Sequence, residues 1–265
     1  MLGTRSRPSG DVSDMRDSMK PMPDRENLAD RVYNSLRSAI ILGELVPGSL
    51  HSVQELAAQI NVSRTPVREA LLKLADQGMV RFERNRGIRI LQTTIHDLEE
   101  IFSLRLLLEV PATYRATQNA GPADVKKLSQ ALDALEDVAE STNHREHLEC
   151  DARFHRVILQ ASGNSRLAQF IDTLRDLQMV RGVSTAGKTR DLRAIYDDHA
   201  LIHERFAARD AKGAALAMRD HIALTARLLL AQETGETDHA QKYDLPWLDV
   251  IGLVADDTPG RLPVI

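Results

Sequence analysis

Apolar residues recur every three or four positions through the first third of the chain, which is the spacing of amphipathic helices. A first helix is predicted to begin at Asn27 and to end at Gly43. Ser52 and Glu55 have the spacing of a capping box and predict a second, short helix through Ile60. The predicted buried face of the first helix consists of Leu28, Val32, Leu36 and Ile40.

A third helix is predicted from start signals of its own, because Ser63 or Thr65 can cap it and a proline in the first turn is tolerated. Two strand-like runs follow it, at residues 79–83 and 88–91, joined by a short polar turn. Three helices and a hairpin in this order predict a winged helix-turn-helix over residues 25–91. The predicted buried stripe of the third helix consists of Val67, Leu71 and Leu74.

Beyond Thr94 every strong segment has the helical period, and glycine or proline separates most of the segments. This pattern predicts an all-helical domain over residues 95–233. Residues 1–24 are polar without apolar periodicity and are expected to form a disordered tail, while residues 234–265 have no assignable pattern. The predicted helices cover residues 95–119, 122–141, 145–162, 165–181, 189–209 and 212–233.

Composition supports a mainly α-helical, globular protein. The chain has 265 residues, of which 43% are hydrophobic and only 4% aromatic. Its single cysteine, Cys150, excludes an internal disulfide framework and is typical of a reducing compartment. No stretch approaches the roughly 20 apolar residues of a membrane span, and the N-terminal residues lack the apolar core of a secretory signal. We therefore expect a cytoplasmic protein with no membrane partner.

The charge is distributed unevenly along the chain. Residues 25–91 contain 10 basic and 7 acidic side chains, a net charge of +3, whereas residues 92–265 contain 20 and 27, a net charge of −7. The overall net charge of −4 does not reveal this asymmetry. The asymmetry predicts a basic contact module joined to an acidic body with a different purpose.

Basic residues cluster on the predicted third helix and on the hairpin. Arg64 and Arg68 are four positions apart and share a helix face, with Thr65 beside them, and Arg86 and Gly87 lie at the hairpin tip. A guanidinium can bind guanine bidentately in the DNA major groove, and hydroxyl groups can hold phosphate. The alternative is a solvated face with ordinary surface arginines, and the ordered set of elements favours DNA.

The same segment resembles the GntR family of bacterial transcription regulators. The resemblance is carried by the ten residues VSRTPVREAL at 62–71, by Glu-Leu-Ala at 55–57, by Gly-Met-Val at 78–80 and by Arg-Gly at 86–87. Some members place an arginine at the start of the second helix, where this chain has Gln54. The resemblance implies that the residues on DNA are Ser63, Arg64, Thr65, Arg68, Arg86 and Gly87.

A second set of polar residues lies within the apolar stripes of the later helices. Asp151 and His155 are four positions apart, and His199, His203 and His221 interrupt two further stripes. A buried polar side chain needs a partner, and a carboxylate with several imidazoles is a suitable set of ligands for a divalent metal. Hydrogen-bonded core histidines explain the same pattern, and the residues alone leave these two interpretations equal.

Residues 151–155, 198–202 and 218–222 resemble the motifs of the FadR-type FCD effector-binding domain. His203 matches no ligand position and is interpreted as a packing or supporting residue, while His144 and His147 are predicted to lie on the surface. The chemistry of a carboxylate with several imidazoles favours zinc, with nickel or manganese as alternatives. The metal ligands that it implies are Asp151, His155, His199 and His221.

Arg105 lies where this family often has an arginine on the first helix of the effector domain. It is a candidate for pairing with a carboxylate of the effector, and a surface ion pair with Glu109, four positions later, is the alternative. Asn164, after a glycine, is predicted to cap a helix rather than to contact a ligand.

The predicted function is a metabolite-responsive transcription regulator, a repressor, that senses a small organic acid through a metal-containing helical domain. Its expected partners are a pseudo-palindromic double-stranded DNA operator, the organic acid and a second copy of the chain. A purely structural metal is one alternative. A metal-dependent hydrolase or lyase is another, but the sequence has no His-Glu-x-x-His arrangement and no nucleophile-elbow serine, so we do not expect an enzyme.

Overall fold

The computed structural model of the chain describes residues 28–140, 143–180 and 184–234. A three-helix unit with a small sheet comes first and contains α1 Leu28–Ile41, β1 Leu50–His51, α2 Val53–Gln59, α3 Arg64–Asp76, β2 Val80–Glu83 and β3 Gly87–Ile90. A helical domain follows and contains α4 Ile95–Asn119, α5 Pro122–Ala139, α6 His144–Ala161, α7 Ser165–Val180, α8 Leu192–Ala207 and α9 Ala211–Thr234. The predicted fold class, a winged helix-turn-helix followed by a helical domain, is confirmed.

The start of α2 has the predicted capping box. The Ser52 hydroxyl accepts a hydrogen bond from the Glu55 backbone N–H at 3.1 Å, and the Glu55 carboxylate accepts one from the Ser52 N–H at 3.0 Å. Asn61 adopts a positive φ of 53° and turns the chain towards α3. The buried stripe of α3 packs into the core of this unit, so its opposite face stays free.

The wing is a three-stranded antiparallel sheet with the strand order β1-β3-β2. The two predicted strands are present, and β1 was not predicted because two residues are too short to show a period. Leu50 pairs with Arg89, and His51 pairs with Ile88. Because β1 pairs with β3, the hairpin is hydrogen-bonded to the segment before α2, and this pairing holds the wing beside α3.

Gly87 is the residue on which the wing geometry depends. Its φ is +121°, and a Cβ atom there would lie 2.2 Å from the backbone oxygen of His51. Gly87→Ala is expected to break the β1–β3 pairing, because backbone atoms cannot yield as a flexible side chain does. Gly48→Ala is the matched control, since Gly48 has a φ of +83° but open space around it. The Gly48→Ala variant is expected to lose only the free energy of holding alanine at a positive φ, on the order of 1–3 kcal/mol.

Thermal unfolding of both glycine variants checks this prediction. Gly87→Ala is expected to lower the midpoint more than Gly48→Ala and to weaken DNA binding as well. Equal losses of stability in the two variants would show that the close approach to His51 relaxes without cost.

The helical domain is built around α4 and α9, which are the two longest helices of the described chain and pack along each other. Thr94 and Asp97 form a capping box that begins α4. Three fully buried phenylalanines from three different helices fill the core, namely Phe102, Phe154 and Phe206. This packing holds the inner faces of α6, α8 and α9 towards one another.

The start of the buried stripe of α1 differs from the sequence-based expectation. Leu28 is 47% exposed, because the buried stripe of α1 starts one position later, at Ala29. The predictions of a disordered tail at 1–24 and of an unassigned segment at 234–265 concern residues that, apart from Thr234, lie outside the described ranges. Within those ranges, none of the helices combines the length and the apolar character needed to cross a membrane.

Candidate functional site

The four residues implied as metal ligands come together inside the helical domain. Asp151 and His155 lie on α6, His199 on α8 and His221 on α9. One ligand atom from each lies within 4.8 Å of those of the others. The three imidazoles are buried and Asp151 is half-buried, so a bound ion would be largely enclosed by protein.

Each histidine is held through its Nδ1 atom. The His155 Nδ1 atom lies 2.7 Å from the Glu109 carboxylate, and the His199 Nδ1 atom lies 2.7 Å from the Ile195 carbonyl oxygen. The third contact joins the His221 Nδ1 atom and an Asp198 carboxylate oxygen, at 3.2 Å. An outer hydrogen bond of this kind fixes the tautomer and leaves the other ring nitrogen, Nε2, for a metal.

The carboxylates behind the histidines are ionised. Burial alone would raise the pKa of Glu109, but the charges of Arg105 and His155 outweigh it and hold that pKa far below its usual range. For Asp198 burial is likewise opposed, here by hydrogen bonds from His221 and Arg190, and the pKa falls to about 2. Both groups therefore accept hydrogen bonds from their histidines at neutral pH.

Two of the three inner ring nitrogens have no hydrogen-bond partner among the residues that the structure describes. Nε2 of His155 and Nε2 of His199 are both buried without one. Burial, and next the charge of His155, lowers the pKa of His199 to about 3, so this ring is neutral. Its proton is on Nδ1, which donates to a carbonyl oxygen, so Nε2 presents a bare lone pair 3.0 Å from an Asp151 oxygen.

Two electron-rich atoms at that distance repel each other unless a proton or a metal ion lies between them. Buried polar atoms without partners are rare in native proteins and call for an explanation. A set of three imidazole nitrogens and one carboxylate oxygen is a typical donor set for zinc and similar divalent ions. The residues present therefore fit a divalent metal, and they fit it better than they fit a hydrogen-bonded core.

Two arginines flank this cluster, of which Arg105 is buried and Arg175 is partly buried. Arg175 of α7 forms an ion pair with Asp151, and Arg105 of α4 donates to Glu109 at 2.7 Å and to Gln178 at 2.9 Å. The predicted Arg105–Glu109 pair is thus present, but it is buried rather than on the surface. Burial, and next the charge of Arg105, lowers the pKa of Arg175 to about 9, so it is still protonated at neutral pH.

A cavity of about 160 Å³ opens beside the cluster. Asp151 and His221 line it together with Arg105 and Arg175, so anything bound there meets two ligand residues and two positive charges. The Nη1 atom of Arg175 is buried and has no hydrogen-bond partner within the described chain. Glu149 and Asp176 also line the cavity, so it is this Arg175 donor, and not an excess of positive charge, that suits a small anion.

His147 was wrongly predicted to lie on the surface. It is 2% exposed and lines the cavity, because it precedes Asp151 by four positions and shares its helix face. His203 points away from the cluster and lies 2.8 Å from the Ser129 hydroxyl, which agrees with a packing role. Asn164 accepts a hydrogen bond from the Leu167 N–H at 3.2 Å, which confirms the cap. The side chain of His144 lies outside the described parts.

Sequence reasoning missed three supporting residues. It gave no role to Arg175, to Asp198 or to Glu109 as the partner of His155. Asp198 stands directly before His199, so its position was visible, but its contact with α9 was not. Arg175 gave no signal, since a long basic side chain is usually solvated.

The predicted DNA-contacting residues also form a common surface. Arg64, Thr65 and Arg68 are exposed at the beginning of α3, and Ser63, which precedes the helix, makes no side-chain capping bond. The guanidinium of Arg68 lies 5.9 Å from the ring centre of Phe82 on β2, which links this face to the wing. A groove runs along the surface and is lined by Val53, Gln54, Arg64, Thr65, Arg68, Glu69 and Leu72.

The tip of the wing is basic and exposed. Arg86 is 64% exposed and lies 3.3 Å from Glu83, and Arg84 forms no ion pair within the described chain. Asn85 has a positive φ of 60° and makes the turn, and Gly87 begins β3. The wing thus extends the positive surface beyond α3.

The sequence matches two protein families. Residues 28–90 match the bacterial regulatory proteins of the gntR family, and residues 100–224 match the FCD domain. Two solved structures share the fold. Escherichia coli McbR/YncC has a TM-score of 0.70 and 24% identity, covering 78% of this chain and 99% of that one. A putative transcriptional regulator GntR from Rhodococcus sp. RHA1 has a TM-score of 0.64 and 22% identity, covering 77% and 97%.

Curated relatives lead to the same family. An uncharacterized HTH-type transcriptional regulator, YdhC of Bacillus subtilis, is 28% identical over 146 residues, or 55% of this chain and 65% of that protein. The transcriptional regulator McbR of Escherichia coli is 27% identical over 190 residues, or 71% and 86%. The gluconate operon transcriptional repressor of Bacillus subtilis is 30% identical over 185 residues, or 68% and 76%. The chain belongs to the GntR family of DNA-binding transcription regulators and carries an FCD effector-binding domain.

Proposed function

We propose that this regulator is a metal-dependent sensor of a small organic acid, and that binding of the acid changes its affinity for an operator. The observation that carries the proposal is the pair of buried Nε2 atoms on His155 and His199, which have no hydrogen-bond partner within the described chain. The His199 Nε2 atom lies 3.0 Å from an Asp151 oxygen, beside a cavity that Asp151 and His221 help to line. The four residues Asp151, His155, His199 and His221 would hold the ion, with zinc favoured and nickel or manganese as alternatives. When bound, the ion supplies a localised positive charge that attracts carboxylate oxygens.

Arg175 is the side chain best placed to bind the acid itself. Its unpartnered Nη1 atom and its position in the cavity wall leave a charged donor for a carboxylate. Arg105 also lines the cavity and stays a proposed effector contact, although Glu109 and Gln178 already take two of its donors. The pocket therefore favours a compact acid with several oxygen atoms over an extended apolar ligand.

The basic surface on α3 and the wing is the proposed operator-binding face. The beginning of α3 presents free backbone N–H groups that suit a phosphate, and the exposed guanidiniums nearby suit guanine. Wing residues suit the neighbouring backbone or minor groove. The proposed contacts are Ser63, Arg64, Thr65, Arg68, Arg86 and Gly87. Since named relatives are repressors, we propose that this protein is a repressor as well.

DNA binding is expected to require a two-fold homodimer, because one such module reads only a few base pairs and a dimer reads a pseudo-palindrome. Leu104 and Leu107 are exposed on α4, three positions apart. These exposed apolar side chains agree with a face of the helical domain that the second copy covers in the dimer. Light scattering at micromolar concentration is expected to give twice the mass of the chain. A monomer at that concentration would contradict this prediction.

Calorimetry tests the proposed function. The full chain is stripped of metal with a chelator, half is reloaded with Zn²⁺, and both forms are titrated with citrate, malate, gluconate and lactate. At least one acid is expected to bind the loaded form and to lose most of its affinity for the stripped form. Full affinity without metal would refute the sensor mechanism and leave the ion a structural role.

A further inference from the structure

The second half of α7 lies between the helical domain and the winged unit. Val180, the last residue of this helix, belongs to the buried core of the winged unit, and Leu177 packs against that core. Thr93, in the link between the two parts, donates a hydrogen bond from its hydroxyl to the Leu177 carbonyl oxygen at 2.8 Å. A displacement of α7 would therefore move the residues that pack against the core of the winged unit.

Two consecutive residues of α7 connect the candidate metal centre to the winged unit. Arg175 forms an ion pair with the ligand residue Asp151, while Asp176 accepts two hydrogen bonds from the guanidinium of Arg37 on α1. Asp176 is only 6% exposed, so its charge depends on this partner. A bidentate arginine–carboxylate pair fixes direction as well as distance, which makes it a rigid connection.

The same turn of α1 forms part of the cavity wall. Arg37, Ser38 and Ile41 line the cavity from one side, and Asp151 and His221 line it from the other. A molecule bound in this cavity would therefore contact both the winged unit and the helical domain. A series of contacts thus leads from Asp151 to Arg175, and from the next residue of α7, Asp176, to Arg37 on the first helix of the winged unit.

We propose that the Arg37–Asp176 ion pair is the connection through which the metal and effector centre controls the winged unit. This inference rests on the proposed function, since it needs the ion to bind at Asp151. Ordering of Asp151 orders Arg175, and α7 transmits this to Arg37 through Asp176. Binding at the centre then restricts α1 and selects one position of the recognition helix, so that operator and effector affinities are coupled.

Hydrogen exchange of the full chain, with Zn²⁺ alone as the probe, tests the connection. Exchange is measured by mass spectrometry on metal-stripped and zinc-loaded protein for the wild type, Asp176→Asn and Asp172→Asn. Asp172 is the matched control, because it lies one turn earlier on α7 and pairs at 2.8 Å with Arg156 of the helical domain. Its charge also acts on Arg37, so Asp172→Asn matches the loss of a negative charge without removing the Arg37–Asp176 pair. Asp176→Asn keeps the shape of the side chain. The Arg37 side chain is already about one-third exposed, so water can solvate its charge when the ion pair is lost.

Zinc is expected to slow exchange in α6, α8 and α9 of all three proteins. It is expected to slow exchange in α1 of the wild type and of Asp172→Asn, and to lose that effect in Asp176→Asn. If Asp176→Asn does not fold, Arg37→Gln replaces it, since glutamine can still donate a hydrogen bond to the buried carboxylate.

The outcomes separate the two proposals. Protection of α6, α8 and α9 together with equal protection of α1 in Asp176→Asn would overturn the connection and leave the metal centre standing. Absence of zinc-induced protection in α1 of the wild type would overturn it as well. Absence of protection in all the ligand-bearing helices would overturn the metal centre, and the connection with it.

Discussion

His199→Ala is expected to lower the affinity of the full chain for Zn²⁺ by more than about 100-fold, because even the loss of an outer hydrogen-bond partner typically costs 10–100-fold. The substitution removes one of the four donor atoms and the one whose lone pair faces Asp151 at 3.0 Å. Competition with a coloured chelator measures the affinity directly. Circular dichroism checks that the variant keeps its helices.

Two further variants calibrate this result. His203→Ala removes a histidine one turn later on the same helix, where the ring contacts Ser129 instead of the cluster, and it is expected to leave zinc affinity unchanged. Asp198→Asn weakens the hydrogen bond to His221 and is expected to cost roughly 10–100-fold. If His199→Ala behaves like His203→Ala, the three imidazoles are core residues and not ligands.

Thermal stability gives an independent reading of the same site. A ligand present at 100 times its Kd stabilises the folded state by about 2.7 kcal/mol, provided that it does not bind the unfolded chain. For a protein of this size, each kcal/mol raises Tm by roughly 2–4 °C, so zinc is expected to raise Tm by roughly 5–11 °C. The shift should be lost in His199→Ala and kept in His203→Ala.

Helix periodicity explains why the four candidate ligand residues could be placed on inward faces, whereas only the resemblance to the FCD motifs separated them from His203. Asp151 and His155 are four positions apart on one face, and His199 and His221 interrupt apolar stripes that must point inward. Periodicity gives the face of each residue but not its hydrogen-bond partner. Glu109, on a helix 46 positions before His155, becomes its partner only through the packing of α4 against α6.

Long-range contacts account for what the sequence did not predict. Arg175 and Asp176 resemble the ordinary charged residues of a surface helix, and only the fold places one against Asp151 and the other against Arg37. Strand β1 has two residues and forms because β3 offers it a free edge. His147 was misjudged although it lies within the predicted helix, because its position four residues before Asp151 places it on the face that borders the cavity.

Arg64→Ala and Arg68→Ala are each expected to reduce specific operator affinity by on the order of 1–3 kcal/mol, or roughly 5–150-fold, if each guanidinium binds a base. The operator is first selected from random double-stranded DNA with the wild-type protein. Affinities for that operator and for unrelated DNA are then measured by fluorescence anisotropy at one fixed salt concentration. The affinity for unrelated DNA should fall much less, because phosphate contacts supply most of it.

Two control variants separate base recognition from a general loss of charge. Lys73→Ala removes one positive charge from the far end of the same helix, where Lys73 pairs with Asp30, and it is expected to leave discrimination intact. Arg86→Ala removes a charge from the wing and is expected to weaken all sequences evenly and to make the dependence of affinity on salt less steep. Unchanged operator affinity in Arg64→Ala at matched salt would show that the exposed face of α3 is not the surface that reads DNA.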